Sequence, residues 1–267
     1  MPSIGSILRS LILGPSSEGQ SQTPAPDTAC PQLDRDRTIY AIGDIHGRAD
    51  CLQRLIDLIR EDVSETGAAT PVLLFLGDYV DRGDDSRAVL DICADIGAVW
   101  RNEAVFLRGN HEDAMLTFLT DPVGGAAWLR FGGLSTLMSY GVPNVSESMS
   151  EGRLVEASET LAGKLPEIHR KFLETTRLAH TEGNVHFCHA GIDPAREIGT
   201  QSPRTLMWGE GTDTPAPDYP YIVVHGHVVV DAPVLRRREV NVDTGAYFSG
   251  QLTCARIAND SIRFLQT

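Results

Sequence analysis

From Arg37 onward, short apolar runs alternate with stretches in which apolar residues return every three or four positions. Residues 38–42 (TIYAI) read as a strand, and residues 50–63, with Leu52, Leu55, Ile56 and Ile59 on one face, as an amphipathic helix. The pattern repeats with strand 72–76 before helix 86–96, and strand 104–107 before helix 112–119. Strands alternating with helices predict βαβ units and a largely parallel sheet buried on both faces. Residues 121–174 keep helical spacing without a strand run and read as a helical insertion. After it, residues 177–181, 185–188, 221–224, 239–242, 252–257 and 261–265 all carry strand patterns. An α/β sandwich of two mixed β-sheets flanked by helices is the simplest arrangement that holds these elements.

Composition sets the boundaries. Residues 14–31 are rich in Ser, Gln, Pro, Thr and Gly and hold almost no bulky apolar residue, so they cannot bury enough surface to order themselves. We therefore expect a flexible tail over residues 1–36 and a single folded domain over residues 37–267. The apolar stretch from Ile7 to Leu13 is interrupted by Arg9 and Ser10, which makes it too short for a membrane span and poor as a signal-peptide core. Five cysteines without a CxxC spacing suggest neither a disulfide framework nor a thiolate zinc site, and a reducing cytoplasm fits them best. The formal net charge of -13 argues against a nucleic-acid partner. It does not argue against a small phosphorylated substrate, because metal ions can supply local positive charge where surplus carboxylates hold them.

The chemistry gathers at strand ends. The first three strands run into Gly43-Asp44-Ile45-His46-Gly47, Gly77-Asp78-Tyr79-Val80-Asp81-Arg82-Gly83 and Gly109-Asn110-His111-Glu112. Two later strands end in Cys188-His189-Ala190-Gly191 and His225-Gly226-His227. Ligands of parallel α/β sheets bind at the carboxyl ends of the strands, so these turns should converge on one crevice. Any one of them alone is ordinary turn, cap or core chemistry. Together they offer oxygen and imidazole ligands without thiolate, a set suited to Mn, Fe, Zn or Ni. Taken as Asp, His, Asp, Asn, His and His, six such groups exceed the needs of one ion, and two ions sharing a bridging carboxylate account for them economically.

The blocks GDIHG, GDYVDRG, LRGNHE, CHAG and HGH, in this order, resemble the phosphoprotein phosphatase branch of the calcineurin-like metallophosphoesterases, and NVDTGAYFSGQLTCARI near the end resembles its bacterial members. The resemblance implies two divalent ions, with Mn favoured over Fe, Zn or Ni. Asp44 and His46 would hold one, Asn110, His189 and His227 the other, and Asp78 would bridge them. It implies that His111 protonates the leaving oxygen, that Asp81 orients His111, and that Arg82 clamps phosphate oxygens with help from Asn110. Arg108 would be a further clamp or a buried structural arginine, and His225 a strand-end group rather than a ligand. The implied activity is hydrolysis of phosphomonoesters, with phosphoserine and phosphothreonine in proteins favoured over small phosphoesters, by attack of metal-bound hydroxide.

Two departures stand out. Asp84-Asp85-Ser86 follows Gly83 where relatives often carry Pro before Asp-Ser, and after Leu206-Met207-Trp208-Gly209-Glu210 no second phosphate arginine is evident, Arg204 being a candidate by proximity only. The rival enzyme is a symmetrical dinucleoside-tetraphosphate hydrolase, whose second block usually lacks the residues found here as Tyr79 and Asp81. The rival outside enzymology is a metal-binding scaffold of the same fold, which the intact ligand set disfavours.

Overall fold

The computed structural model describes residues 30–34, 37–68, 70–100, 103–259 and 261–267. Strands β1 (Thr38–Ile42), β2 (Pro71–Phe75) and β3 (Ala104–Phe106) pair in parallel. They are joined by α1 (Ala49–Thr66) and α2 (Ser86–Val99), and α3 (Asn110–Thr120) follows β3. The chain then stays helical through a 3-10 helix (Ala126–Phe131), α4 (Gly133–Ser139), α5 (Glu151–Lys164) and α6 (Glu167–Thr175). The second half supplies β4 (Ala179–Glu182), β5 (Val185–Cys188), α7 (Pro203–Trp208), β6 (Ile222–His225), β7 (Val234–Arg236), β8 (Glu239–Asn241), α8 (Ala246–Ser249), β9 (Thr253–Ala258) and β10 (Ser261–Gln266).

These strands form two mixed five-stranded sheets, in the orders β10-β9-β1-β2-β3 and β4-β5-β6-β8-β7. The architecture is the α/β sandwich expected from the pattern. Alternation along β1 explains its double burial, since successive side chains of a strand point to opposite faces. Ile39 and Ala41 enter the layer between the sheets with Val72, Leu74, Val185, Phe187, Val224 and Val240. Tyr40 and Ile42 face the helices and pack with Leu52, Leu55, Val89 and Leu90. All of β1 is buried. Burying a Leu or Ile side chain contributes about 1.5–3 kcal/mol, so these two layers carry most of the fold's stabilisation.

Three differences from expectation have physical causes. The helix expected over 50–63 runs from Ala49 to Thr66 and stops at Gly67, whose left-handed φ of 61° provides a C-terminal cap. β7 was not expected, because none of its residues is fully buried and its turn to β8 contains no Gly, Asn or Asp; Arg237 takes the left-handed φ of 48° instead. Most of the expected tail over 1–36 lies outside the described residues, but part of 30–34 is docked. Leu33 is buried in the inter-sheet core, its N–H donates to Asn259 Oδ1 (2.8 Å), and Gln32 N donates to Asn184 Oδ1 (2.7 Å). Among the described residues no helix is long and apolar enough to cross a membrane. All five cysteines are free thiols.

Candidate metal centre and active site

The strand-end turns are knitted to one another before any side chain is considered. Ile45 N and His46 N both donate to Asp78 O (3.0 and 2.8 Å), Gly47 N donates to Tyr79 O (2.9 Å), and Gly83 N donates back to His46 O (3.1 Å). His46, Asp78, Asp81, Arg82 and His227 all sit at left-handed φ between 46° and 75°. Such conformations strain a residue with a Cβ and persist only where the surroundings over-determine them. Two glycines are required by close approach. A Cβ on Gly109 would lie 2.0 Å from Asp78 Oδ1, and one on Gly226 would lie 2.0 Å from Asp44 Oδ1.

Asp78 occupies the middle of the cluster. Its Oδ2 lies 3.4 Å from His46 Nε2, 3.4 Å from His189 Nε2 and 3.9 Å from His111 Nε2. Asn110 Oδ1 lies 2.9 Å from both His189 Nε2 and His227 Nδ1. Ligand-type atoms of His46, Asp78 and His111 form one group within 4.8 Å of one another, and those of Asp78, His189 and His227 form another, with Asp78 common to both. Backbone carbonyls orient two of the imidazoles, since His46 Nδ1 meets Val80 O (2.9 Å) and His189 Nδ1 meets Leu76 O (3.1 Å). That arrangement leaves Nε2 of each facing Asp78, as metal-ligating histidines require.

The electrostatics fit cations at this place. Asp44 is buried, its Oδ2 accepts the N–H of His227 (3.0 Å), and its Oδ1 has no partner among the described residues. Burial and the neighbouring Asp243 push its carboxyl well above the usual carboxylate range. Burial opposes the ionised form of Asp78, yet His189 and His111 hold it well below that range. Against its own burial, His189 is raised to about 10 by Asp78 and Asp44. Burial lowers His46 to about 3 and, with His189 beside it, His227 to about 4, so both are neutral imidazoles able to donate a lone pair. An orphaned carboxylate oxygen, a shared central carboxylate and neutral imidazoles form the hard and borderline donor set that divalent ions take.

His111 has a different set of partners. Its Nδ1 lies 2.7 Å from Asp81 Oδ2, which leaves Nε2 facing the cluster, 3.3 Å from Arg82 Nη2. Burial pulls the His111 pKa down, but Asp78 and Asp81 together raise it. The Arg82 guanidinium in turn lies 4.6 Å from the centre of the Tyr247 ring, a cation–π contact.

Three residues that the sequence left open are directed away from the cluster. Arg108 spends its donors on the last turn of α6, from Nε to Thr176 Oγ1 (3.0 Å) and from Nη2 to Leu173 O (2.9 Å) and Glu174 O (3.2 Å). These bonds suit the structural alternative for Arg108. Arg204 is exposed and paired with Glu210 (2.8 Å). His225 points its Nε2 toward Glu239 Oε1 (3.5 Å) and belongs to neither ligand group.

Two acidic residues escaped the sequence reading. Glu112 is fully buried, and its carboxylate accepts the N–H groups of Asp78 (2.9 Å), Tyr79 (2.8 Å), Val80 (3.2 Å) and Gly109 (2.9 Å). It holds the central turn in place, although burial and Asp78 raise it to about 7 against the pull of those donors. Asp243, in the block after β8, is buried beside Asp44 and raises its pKa, while burial and Asp78 raise Asp243's own. The block that contains Asp243 was visible in the sequence, but nothing local marked the carboxylate as part of the site.

Fold and site together define a metallophosphoesterase. The family model for calcineurin-like phosphoesterases matches residues 37–255, and the chain belongs to that family. It is 28% identical over 242 residues to an asymmetrical bis(5'-nucleosyl)-tetraphosphatase, PrpE, of Bacillus mycoides, covering 80% of this chain and 88% of that one. A protein of the same name from Halalkalibacterium halodurans is 26% identical over 235 residues, with the same coverage. Among solved structures it is similar to a protein serine/threonine phosphatase of Saccharomyces cerevisiae (TM-score 0.56, 15% identity, 86% of this chain and 79% of that one). It is also similar to a cold-active protein-tyrosine phosphatase of a Shewanella species (TM-score 0.55, 15% identity, 96% and 89%). At such identities the structural likeness speaks for the fold alone.

Proposed function

We propose that this metal-dependent phosphoesterase is a dinuclear phosphatase of phosphomonoesters, with phosphoserine and phosphothreonine of proteins as its preferred substrates and Mn as its preferred metal. Asp44, His46 and Asp78 would hold one ion, and Asp78, Asn110, His189 and His227 the other. When bound, such a pair of ions lowers the pKa of a shared water and neutralises phosphoryl oxygens. The chain itself supplies the rest. Arg82 presents a planar fork to the phosphate, and His111 delivers a proton from Nε2 to the departing oxygen while Asp81 fixes its Nδ1.

The observation that carries this reading is the His111–Asp81 pair (2.7 Å) aimed at the Asp78 cluster. A serine or threonine alkoxide leaves poorly without a proton, whereas a nucleotide phosphate leaves easily, so a locked acid serves the harder ester. A second reading, cleavage of dinucleoside polyphosphates, is favoured by the names of the relatives. Mn-reconstituted protein assayed on phosphoserine peptides, an aryl phosphate and diadenosine tetraphosphate separates the two. We expect chelation to abolish all activity, Mn to restore it, and phosphopeptide turnover to lead; dominant turnover of the dinucleotide would overturn the first reading. His111→Asn should keep its metals and slow phosphoserine hydrolysis by about 10²–10⁴-fold, with a smaller defect on the aryl ester.

A further inference from the structure

Asp81 and Arg82 are consecutive residues with side chains, and both are left-handed, at φ 75° and 68°. Within their own turn Gly83 N donates to Asp81 O (2.8 Å), which closes the chain around Arg82 but leaves both side chains unheld. Partners come from the hairpin that the 3-10 helix and α4 form around Gly132. Arg82 N donates to Gly132 O (3.3 Å), Ser135 Oγ donates to Arg82 O (3.1 Å), and a Cβ on Gly132 would lie 2.7 Å from Arg82 N. Asp81 is held more completely. Its Oδ2 accepts from Trp128 Nε1 (2.6 Å) on the same oxygen that meets His111 Nδ1, and its Oδ1 accepts from Thr136 Oγ1 (2.6 Å).

The hydroxyl inventory around Asp81 closes without a spare group. Thr136 gives its one proton to Asp81 Oδ1, so Ser86 Oγ, 2.9 Å away, must donate to Thr136. The N–H of Asp81 is shared between Thr136 Oγ1 (2.9 Å) and Ser86 Oγ (3.0 Å). Asp81, Thr136 and Trp128 are all within 1% of complete burial. The Trp128 ring is itself wedged, 5.1 Å from the Phe118 ring centre and against Gly133, where a Cβ would come within 2.5 Å of it. The carboxylate can therefore neither rotate nor exchange partners with water.

We infer that the hairpin of the helical insertion is a clamp on the acid of this active site, and that Trp128 and Thr136 are positioning residues acting on His111 through Asp81. The inference rests on His111 being the acid, as proposed above. A tryptophan N–H and a threonine hydroxyl fix the plane of the Asp81 carboxylate, and that plane fixes the direction in which His111 presents Nε2. The same hairpin sets the Arg82 backbone, so acid and phosphate fork are aimed by one element.

Trp128→Phe keeps the ring and removes only the N–H. It should lower kcat on phosphoserine by about 10–100-fold, the usual size when a partner behind a functional histidine is lost. The aryl phosphate should lose less than about 3-fold, and KM and Mn content should hold. Thr136→Val should act in the same direction and Thr136→Ser should recover, which gives a second route should either bulky change unsettle folding. Combined with His111→Asn, Trp128→Phe should cost nothing further, because a residue acting through His111 has no route left once it is gone. An equal loss on both esters, an unchanged kcat, or an additive loss in the double variant would overturn the clamp. These results remain separable from failure of the acid reading, in which His111→Asn alone would show no dependence on the leaving group.

Discussion

The two halves of the metal centre are built differently. The half around His46 and Asp78 grows from turns of the first sheet, where backbone bonds between 45–47 and 78–83 lock each residue locally. The half around His189 and His227 is assembled across the sandwich. His189 reaches over to Leu76 O (3.1 Å), and His227 meets Asn110 Oδ1 (2.9 Å) from a half-buried position. The first half is organised by its own chain segments, whereas the second exists only once the two sheets have packed. Asp78 and Asn110 are the residues through which the halves meet.

The largest effect is expected where both halves are struck at once. Asp78→Asn removes the charge common to both ligand groups, and should lower Mn content at both sites and turnover by about 10²–10³-fold, comparable to losing one preorganised partner of a transition state. Unchanged metal and rate in dialysed protein would show that the halves do not share it. On the second half alone, His227→Ala should reduce turnover by about 10²-fold and leave part of the metal bound. His225→Ala should stay within about 3-fold, because its ring faces Glu239. The reverse order of the two variants would relocate the ligand.

Next in size is the first half's own anchor. Glu112→Gln keeps the shape but turns an amide N–H toward two of the four backbone donors, forfeiting two charge-assisted bonds at about 1.5–3 kcal/mol each. A stability loss of about 3–6 kcal/mol by denaturant unfolding is expected. A change below about 1 kcal/mol would mean that the Asp78 turn holds itself.

The same contrast explains what the sequence made legible. Asp44, His46, Asp78, Asn110 and His111 stand in contiguous Gly-flanked turns, so residue type and strand position pointed to them together. Glu112 sits in such a turn and still read as a helix-start residue, because three of its partners lie more than thirty positions away. Trp128 and Thr136 reach Asp81 across 47 and 55 positions from a stretch whose pattern announced helices and nothing more. Arg108 lies in the right block, but its side-chain direction depended on where α6 ends, which no local pattern states. The strand pattern survived better, since burial on alternating faces is written residue by residue; only β7, with Val234 and Leu235 half-buried and Arg236 exposed, fell below it.

The smallest expected effect tests whether the second sheet is held independently of the metal centre it helps to build. His186, on β5, is buried; its Nδ1 lies 2.8 Å from Thr181 Oγ1, and its Nε2 has no partner among the described residues. Burial, helped by nearby His180, lowers its pKa to about 4, well below the usual value of 6.5. The folded state therefore binds fewer protons than the unfolded chain between pH 6.5 and 4, and stability falls as the pH drops through that window. For one such group the loss between pH 6.5 and 5.5 is about 1 kcal/mol, with no further loss from this residue once the pH is below 4. His186→Gln retains a hydrogen-bonding group for Thr181 and cannot titrate, so it should flatten the slope by that amount relative to wild type. The comparison is urea unfolding of both proteins, metal-stripped so that ligand protonation is common to both curves. Parallel slopes would mean that His186 is already solvated enough to charge in the folded state, and that this edge of the second sheet opens without the rest.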